Sequence, residues 1–119
     1  DDYDKEIDID AVDLDSYLKG QPVNFIKMDI QGYEMSAVLG MHQTFQNPDL
    51  KMLSEFWPYG MRIAGTSVLD YFQFLKKYNF FVYLIEENSL VELTEEKVTS
   101  FLDFPESRYM NIFASKSRV

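Results

Sequence analysis

Residues 23–34 read VNFIKMDIQGYE, and this stretch decides the fold. Residues 23–28 are typical of a buried strand, which ends at the acidic Asp29. Gly32 then favours a tight turn, and Glu34 lies in the first turn of a following helix. In open α/β sheets, ligands bind in the crevice beyond the carboxyl ends of the strands. The pattern therefore predicts a ligand site next to Asp29.

Helix and strand patterns alternate along the chain after this stretch. The spacing of apolar residues predicts, in order, a helix over 33–46, a strand over 50–56, a helix over 67–78, a strand over 80–85, an extended piece over 90–93, a short helix after Thr94 and a strand over 109–114. Ser67 or Thr66 is expected to cap the second helix, and Thr94 the third. Such alternation indicates an α/β fold with a largely parallel sheet. The connection before the final strand is the shortest and contains the fewest helical residues, so the final strand is expected to run antiparallel.

Two short elements are expected before the central strand. Ile7 and Ile9 alternate with aspartates, which predicts a short strand with one buried face. Residues 12–20 look like a helical turn that an aspartate caps and Gly20 ends, and Pro22 then leads into the strand.

The composition limits the classes of partner. A length of 119 residues is enough for one domain or a piece of a larger one, and 46% hydrophobic residues suffice for a core. A net charge of −9 excludes the basic footprint of proteins that bind nucleic acid or anionic membranes. There is no cysteine, which fits a reducing compartment, and no apolar run approaches the roughly 18 residues of a membrane span. We therefore expect a cytoplasmic protein.

Four segments carry a family resemblance. They read LDSYL (14–18), FIKMDIQGYE (25–34), VLG (38–40) and EFWPYGMR (55–62). From about Asp10 onward, the chain resembles the C-terminal half of the FkbM family of S-adenosylmethionine-dependent methyltransferases. The family pattern is roughly Ile-Lys-x-Asp-x-Glu-Gly-x-Glu, and Gln31 stands here in place of its first glutamate.

The resemblance implies part of a Rossmann-like sheet of the class I methyltransferase kind. Helices are then expected on both faces of a mostly parallel sheet with a final antiparallel strand. Strands 23–29, 50–56, 80–86 and 109–115 would match the fourth to seventh strands of that sheet. The five glycines, at 20, 32, 40, 60 and 65, form no glycine-rich cofactor loop. Residues 1–119 are therefore expected to be the C-terminal portion of one methyltransferase domain, without its cofactor-binding first half and with no assignable cofactor-binding residue.

The resemblance also implies the reaction. The protein is expected to transfer a methyl group from S-adenosylmethionine to a hydroxyl of a small molecule or glycan, and the chain by itself is expected to be inactive. Asp29 and Glu34 are the candidate catalytic residues. A carboxylate at the rim can orient an alcohol and take its proton. From position alone, Asp29 could equally cap the following helix. Glu34 could simply interact favourably with the positive N-terminal end of the helix dipole.

Four further residues are candidates for substrate binding. Glu55 ends an apolar strand, where a carboxylate is costly unless it is paired or lies at a wet rim. Trp57, Tyr59 and Arg62 follow in a loop and could line a pocket for a polar acceptor, although Trp57 could equally serve packing.

Other residues are predicted to have structural roles. His42, the only histidine, lies on the apolar face of its predicted helix, more than ~10 Å from the strand end, and is interpreted as structural. Lys27 is assigned no chemistry. Asp29, Glu34 and Glu55 are hard oxygen ligands, but their spacing demands no metal and none is predicted.

Two alternatives to the enzyme remain. One is a non-catalytic α/β interaction domain, which an upstream glycine-rich strand–turn–helix would argue against. The other is a flavodoxin-like or receiver-type domain, for which residues 1–20 supply no phosphate loop. The family's sheet order leaves one edge of strand 23–29 unpaired, so we expect residues 7–12 or the same strand of a second copy, in a homodimer, to cover it.

Overall fold

Five strands form one mixed sheet in the computed structural model of the protein, which describes residues 5–119. They are β1 (Phe25–Met28), β2 (Lys51–Phe56), β3 (Phe81–Glu86), β4 (Ser89–Glu92) and β5 (Met110–Ser115), and they lie in the order β1-β2-β5-β3-β4. β5 is antiparallel to both of its neighbours, which confirms the predicted antiparallel final strand. The predicted mostly parallel sheet is wrong: β5 separates β2 from β3, and β4 forms a hairpin with β3, so only β1 and β2 pair in parallel.

Five α-helices and one 3-10 turn connect these strands in the described chain. The helices are α1 (Leu14–Leu18), α2 (Glu34–Val38), α3 (Pro58–Ile63), α4 (Val68–Lys77) and α5 (Glu95–Thr99), and the 3-10 turn is Thr44–Gln46. Asp13, Ser67 and Thr94 cap α1, α4 and α5 by accepting hydrogen bonds from backbone N–H groups, as the sequence predicts. Within residues 5–119, no helix has the length and apolar character needed to cross a membrane.

The single helix predicted over 33–46 is broken into two pieces. α2 ends at Val38, and Gly40 packs so closely on α1 that a Cβ there would lie 2.7 Å from the Cβ of Asp13. The carboxylate of Asp15 then accepts hydrogen bonds from the N–H groups of Gln43 and Thr44, at 2.8 and 2.9 Å. A side chain from α1 thus satisfies backbone donors that a continuous helix would have paired internally.

Helices α2, α4 and α5 pack on one face of the sheet. The hydroxyl of Tyr71 in α4 donates to Oγ of Ser54 in β2 at 2.8 Å, and α2 and α5 contact α4. The opposite face presents half-buried or exposed apolar side chains, namely Phe25, Leu53, Phe81, Ile85 and Phe113. The expectation of helices on both faces is therefore wrong for residues 5–119. β3 continues directly into β4 of the same sheet through a hairpin, with no helix between them. The next helix, α5, packs against α4 on the covered face.

β1 is an edge strand of the described sheet. It pairs only with β2, and Phe25 remains 55% exposed, so the strand is less buried than predicted. Ile7 and Ile9 are 83% and 84% exposed and lie outside any strand. The predicted strand at Ile7–Ile9 is wrong, and so is the prediction that residues 7–12 cover this edge. Its pairing with a second copy stays a prediction.

Candidate functional site

Two acidic residues meet where the parallel strands β1 and β2 end. Met28 is paired with Ser54, so Asp29 and Glu55, the next residue on each strand, lie side by side. They line a cavity of about 380 Å³ together with Lys27, Met28, Leu53, Ser54, Ile85 and Asn111. This is the carboxyl-end position at which open α/β sheets bind ligands.

The carboxylate of Glu34 holds the turn after β1 in shape. Gln31 and Gly32 both have positive φ, 57° and 99°, and the glycine tolerates this without a Cβ clash. Glu34 is completely buried and accepts hydrogen bonds from the N–H groups of Ile30 (2.8 Å) and Gly32 (3.0 Å). Burial raises the pKa of Glu34 in spite of these hydrogen bonds. Both of its oxygens are thus engaged in positioning Asp29, and its predicted catalytic role stays a prediction.

Glu55 is the buried acid of the site. Its side chain is 6% exposed, and within residues 5–119 its Oε2 has no hydrogen-bond partner. Burial, followed by the carboxyl–carboxyl hydrogen bond and charge of Asp29, raises the pKa of Glu55 to about 7. Near neutral pH, Glu55 is therefore protonated in a large fraction of molecules. Asp29 is exposed at the rim, where its Oδ1 accepts from the Gln31 amide at 3.1 Å.

Two glycines bring the turn after β1 against the start of α3. A Cβ on Gly32 would lie 2.5 Å from the carbonyl carbon of Gly60, and a Cβ on Gly60 would lie 2.1 Å from the indole of Trp57. No larger residue fits either position without a shift of the backbone or of the indole. The two strand-end turns, and with them Asp29 and Glu55, are therefore held in fixed proximity.

Trp57, Tyr59 and Arg62 form a separate cluster outside this cavity. The indole of Trp57 stacks on Tyr109 with ring centres 4.6 Å apart, and its Nε1 donates to the carbonyl of Glu106 at 2.9 Å. Arg62 lies over the ring of Tyr59 and donates to two backbone carbonyls, those of Leu102 and Phe104. These contacts fasten α3 to residues 102–109. The proposed substrate contacts of the three residues stay predictions, and the structure does not bring them to Asp29.

Asn111 also lines the cavity, although its sequence pattern did not make it a candidate. Asn111 is paired with Glu55 across β2 and β5, so its amide lies on the same face as the carboxyl group. The available signal was its isolation, because it is the one polar residue in the apolar strand 109–114. Its strand was placed correctly, but the neighbour of β2 could be identified only from the sheet order.

His42 packs against α4, away from the carboxyl pair. Its ring meets Phe74 edge-on with centres 5.6 Å apart, and its Nδ1 hydrogen-bonds the hydroxyl of Tyr78. The structural interpretation of His42 agrees with these contacts, although the side chain is exposed and its predicted helix is broken. In the part of the chain that the structure describes, no group of three or more His, Asp or Glu side chains is arranged to hold a metal ion.

Comparison with known proteins identifies the family. Residues 1–82 match the family model described as the methyltransferase FkbM domain. No curated protein and no solved structure matches the chain. The match covers 82 of the 119 residues and includes β1, the turn with Asp29 and Glu34, and β2 with Glu55. The chain therefore belongs to the FkbM methyltransferase family.

Proposed function

We propose that this chain forms the acceptor side of an S-adenosylmethionine-dependent O-methyltransferase that acts on a hydroxyl of a small molecule or glycan. The observation that supports this proposal is the pair of carboxyl groups, Asp29 and Glu55, at the ends of two parallel strands beside a cavity of about 380 Å³. Methyl transfer to an alcohol needs the acceptor oxygen to be aligned and its proton to be taken. The pair is suited to both tasks.

The family implies S-adenosylmethionine, whose sulfonium supplies the methyl group. The residues of this chain do not make a complete site for it. The N–H groups of Ile30 and Gly32 already bind Glu34, so the turn after β1 offers no free pair of amides for an anionic group. The acidic pair suits the positive charge of the cofactor but holds no other part of it. We therefore expect residues 1–119 alone to bind S-adenosylmethionine weakly or not at all, and calorimetry that shows tight binding would contradict this.

The two carboxyl groups have different roles in the proposed reaction. Asp29 is exposed at the rim, and the Gln31 amide orients it, so it is placed to accept the hydrogen bond of an entering hydroxyl. Glu55 is buried behind it with a pKa raised to about 7 by burial and by Asp29, which makes the pair a proton acceptor near neutral pH. A base with a pKa near the working pH is the most efficient, and such a group contributes about 10²–10⁴-fold to the rate.

Substitution of each acid in the protein that carries this domain tests the proposal. The assay follows S-adenosylhomocysteine formation with a panel of sugars and small polyols as acceptors. Asp29→Asn and Glu55→Gln are expected to lower kcat by about 10²–10⁴-fold. Glu86→Gln, which removes an exposed charge at the end of β3, should keep full turnover. Unchanged turnover in both site variants would contradict the proposal, and absence of turnover with every acceptor would favour the non-catalytic interaction domain.

A further inference from the structure

A stacked pair of aromatic rings borders the cavity at the exposed face of the sheet. Glu55 and Asn111 are paired across β2 and β5. Trp57 lies two residues after Glu55 and still has an extended backbone, with φ −110° and ψ 99°, and Tyr109 lies two residues before Asn111. Because side chains alternate between the two faces of a strand, both aromatic residues are on the face of Glu55 and Asn111, about 6–7 Å further along. The pair therefore adjoins the cavity without lining it.

The ring of Tyr109 is held in one orientation. It stacks on the indole of Trp57 with ring centres 4.6 Å apart and 19° between the ring planes. The indole is fixed in turn, because its Nε1 donates to the carbonyl of Glu106 and Gly60 packs directly against it. A side chain that is ordered before a ligand arrives loses little further entropy on binding. Tyr109 therefore has the properties of a preformed contact surface.

The outer face of the Tyr109 ring is open to a ligand. Tyr109 is 52% exposed although Trp57 covers one side of its ring, so the exposed part includes the other side. Asn111 is also exposed and lines the neighbouring cavity. An aromatic face beside an amide offers apolar and hydrogen-bonding surface to the same ligand. This combination fits a sugar ring, whose C–H groups pack on an aromatic face while its hydroxyls bond polar groups at the edge of the ring.

We propose that the acceptor is a glycan, that one of its pyranose rings stacks on Tyr109, and that Asn111 bonds a hydroxyl of the same ring. This inference rests on the proposed methyltransferase function and names its class of acceptor. The interval of about 6–7 Å between the two side chains suits a ring with one projecting hydroxyl. Tyr109 is thus a residue that binds the acceptor without touching the reacting oxygen, and Trp57 is the residue that positions it.

Binding of saccharide probes to the 119-residue chain tests this without any methyl transfer. Trp57 is the only tryptophan, so intrinsic fluorescence reports directly on the stacked pair. The probes are the methyl glycosides of glucose, galactose, mannose and rhamnose, and sorbitol, which has similar hydroxyls but no ring, is the control ligand. We expect at least one methyl glycoside to bind about three- to tenfold more tightly than sorbitol, because only a ring can stack on Tyr109.

Variants of Tyr109 separate stacking from folding. Tyr109→Ala should weaken binding of that glycoside by about three- to tenfold, whereas Tyr109→Phe keeps the aromatic face and should bind like the wild type. Tyr17→Ala removes an exposed tyrosine from α1, at 70% exposure, and is the matched control. In the protein that carries this domain, Tyr109→Ala should raise KM for the glycan by the same factor and leave kcat within about twofold, because stacking stabilises bound substrate and transition state alike.

Several outcomes would overturn the inference. They are sorbitol binding as tight as that of every methyl glycoside, unchanged affinity in Tyr109→Ala, an equal loss in Tyr17→Ala, and a loss in Tyr109→Phe as large as that in Tyr109→Ala. Any of these results together with intact methyl transfer would refute only the acceptor class. Absence of transfer with every acceptor would instead count against the proposed function, and the fluorescence titration would still decide whether a sugar ring binds at Tyr109.

Discussion

Glu55 links the chemistry of the site to the stability of the fold. An ordinary glutamate has a pKa of 4.5, and burial together with Asp29 raises the pKa of Glu55 to about 7. The folded state therefore binds a proton more tightly than the unfolded state does. This contribution to stability is complete below about pH 4.5 and is lost as the pH rises through 7. A residue suited to take a proton is thus destabilising when it is ionised.

The variant Glu55→Gln should remove this pH dependence. At about pH 8 its free energy of unfolding should exceed that of the wild type by roughly 1–3 kcal/mol, and at about pH 5 the two should be similar. Urea denaturation at both pH values measures the difference. Glu86→Gln, at an exposed position, should follow the wild type at both. A Glu55→Gln protein that gains nothing at the higher pH would contradict the buried, protonated state.

Gly32 is the residue on which the shape of the turn depends. Gly32→Ala combines a positive φ of 99° with a Cβ that would lie 2.5 Å from the backbone of Gly60. Gly65 is a matched control, with a φ of 87° and open space around its Cβ. We expect Gly65→Ala to cost about 1 kcal/mol and Gly32→Ala at least about 3 kcal/mol of unfolding free energy. Thermal denaturation compares them, and equal losses would show that the contact with Gly60 is unimportant.

The elements differ in how well the sequence predicts them. α4 was predicted accurately because its apolar stripe, its cap at Ser67 and its final lysines all agree. The predicted helix over 33–46 was wrong because Asp15, distant in sequence, takes the N–H groups of Gln43 and Thr44. α3 was expected to be a loop, although Pro58 at its first turn is a helix-start signal.

For the site, the sequence indicated individual candidate residues but not which of them lie together. Asp29 and Glu55 were identified because an acid at the end of an apolar strand is unusual. Their common position was not expected from local pattern alone, since it depends on the parallel register of β1 and β2. Asn111 reaches the cavity through β5, and its place beside Glu55 depends on the sheet order. Local pattern thus identifies the chemical groups, and long-range pairing decides which of them meet.

The cap of α4 provides a test at the level of one element. Ser67 accepts a hydrogen bond from the N–H of Asp70 at 3.0 Å. Ser67→Ala should lower the free energy of unfolding by about 1 kcal/mol, because a terminal N–H loses its acceptor. Ser36 is exposed within α2 and serves as control, so Ser36→Ala should change stability by less than about 0.5 kcal/mol. Denaturant titration measures both free energies of unfolding. Equal effects of the two substitutions would show that the Ser67 cap does not stabilise α4.

One face of the sheet is covered by helices, and the other is partly exposed. Helices α2, α4 and α5 cover one side of the sheet, whereas Phe25 and Ile85 remain exposed on the other, at 55% and 37%. The outer edge of β1 is also unpaired in residues 5–119. An unpaired strand edge next to apolar surface tends to recruit another strand. We therefore propose that β1 pairs with β1 of a second copy in a homodimer.

A charge on the edge strand should abolish this dimer. Phe25→Lys places a lysine on β1, a device that natural edge strands use to prevent pairing. Ile63→Lys changes a residue of α3 that is 71% exposed, and it serves as the matched control. Sedimentation velocity over a concentration series should show dimers for the wild type and Ile63→Lys and monomers for Phe25→Lys. A monomeric wild type at every concentration would refute the homodimer.

At the carboxyl ends of β1 and β2, Glu55 beside Asp29 keeps its proton up to near neutral pH, and the proposed function depends on this property. NMR titration of the side-chain carboxyl carbon of Glu55 tests it most directly. The account predicts a midpoint at about pH 7, which moves toward lower pH in Asp29→Asn because the neighbouring charge is removed. A midpoint near the ordinary value of 4.5, unchanged in that variant, would contradict the claim.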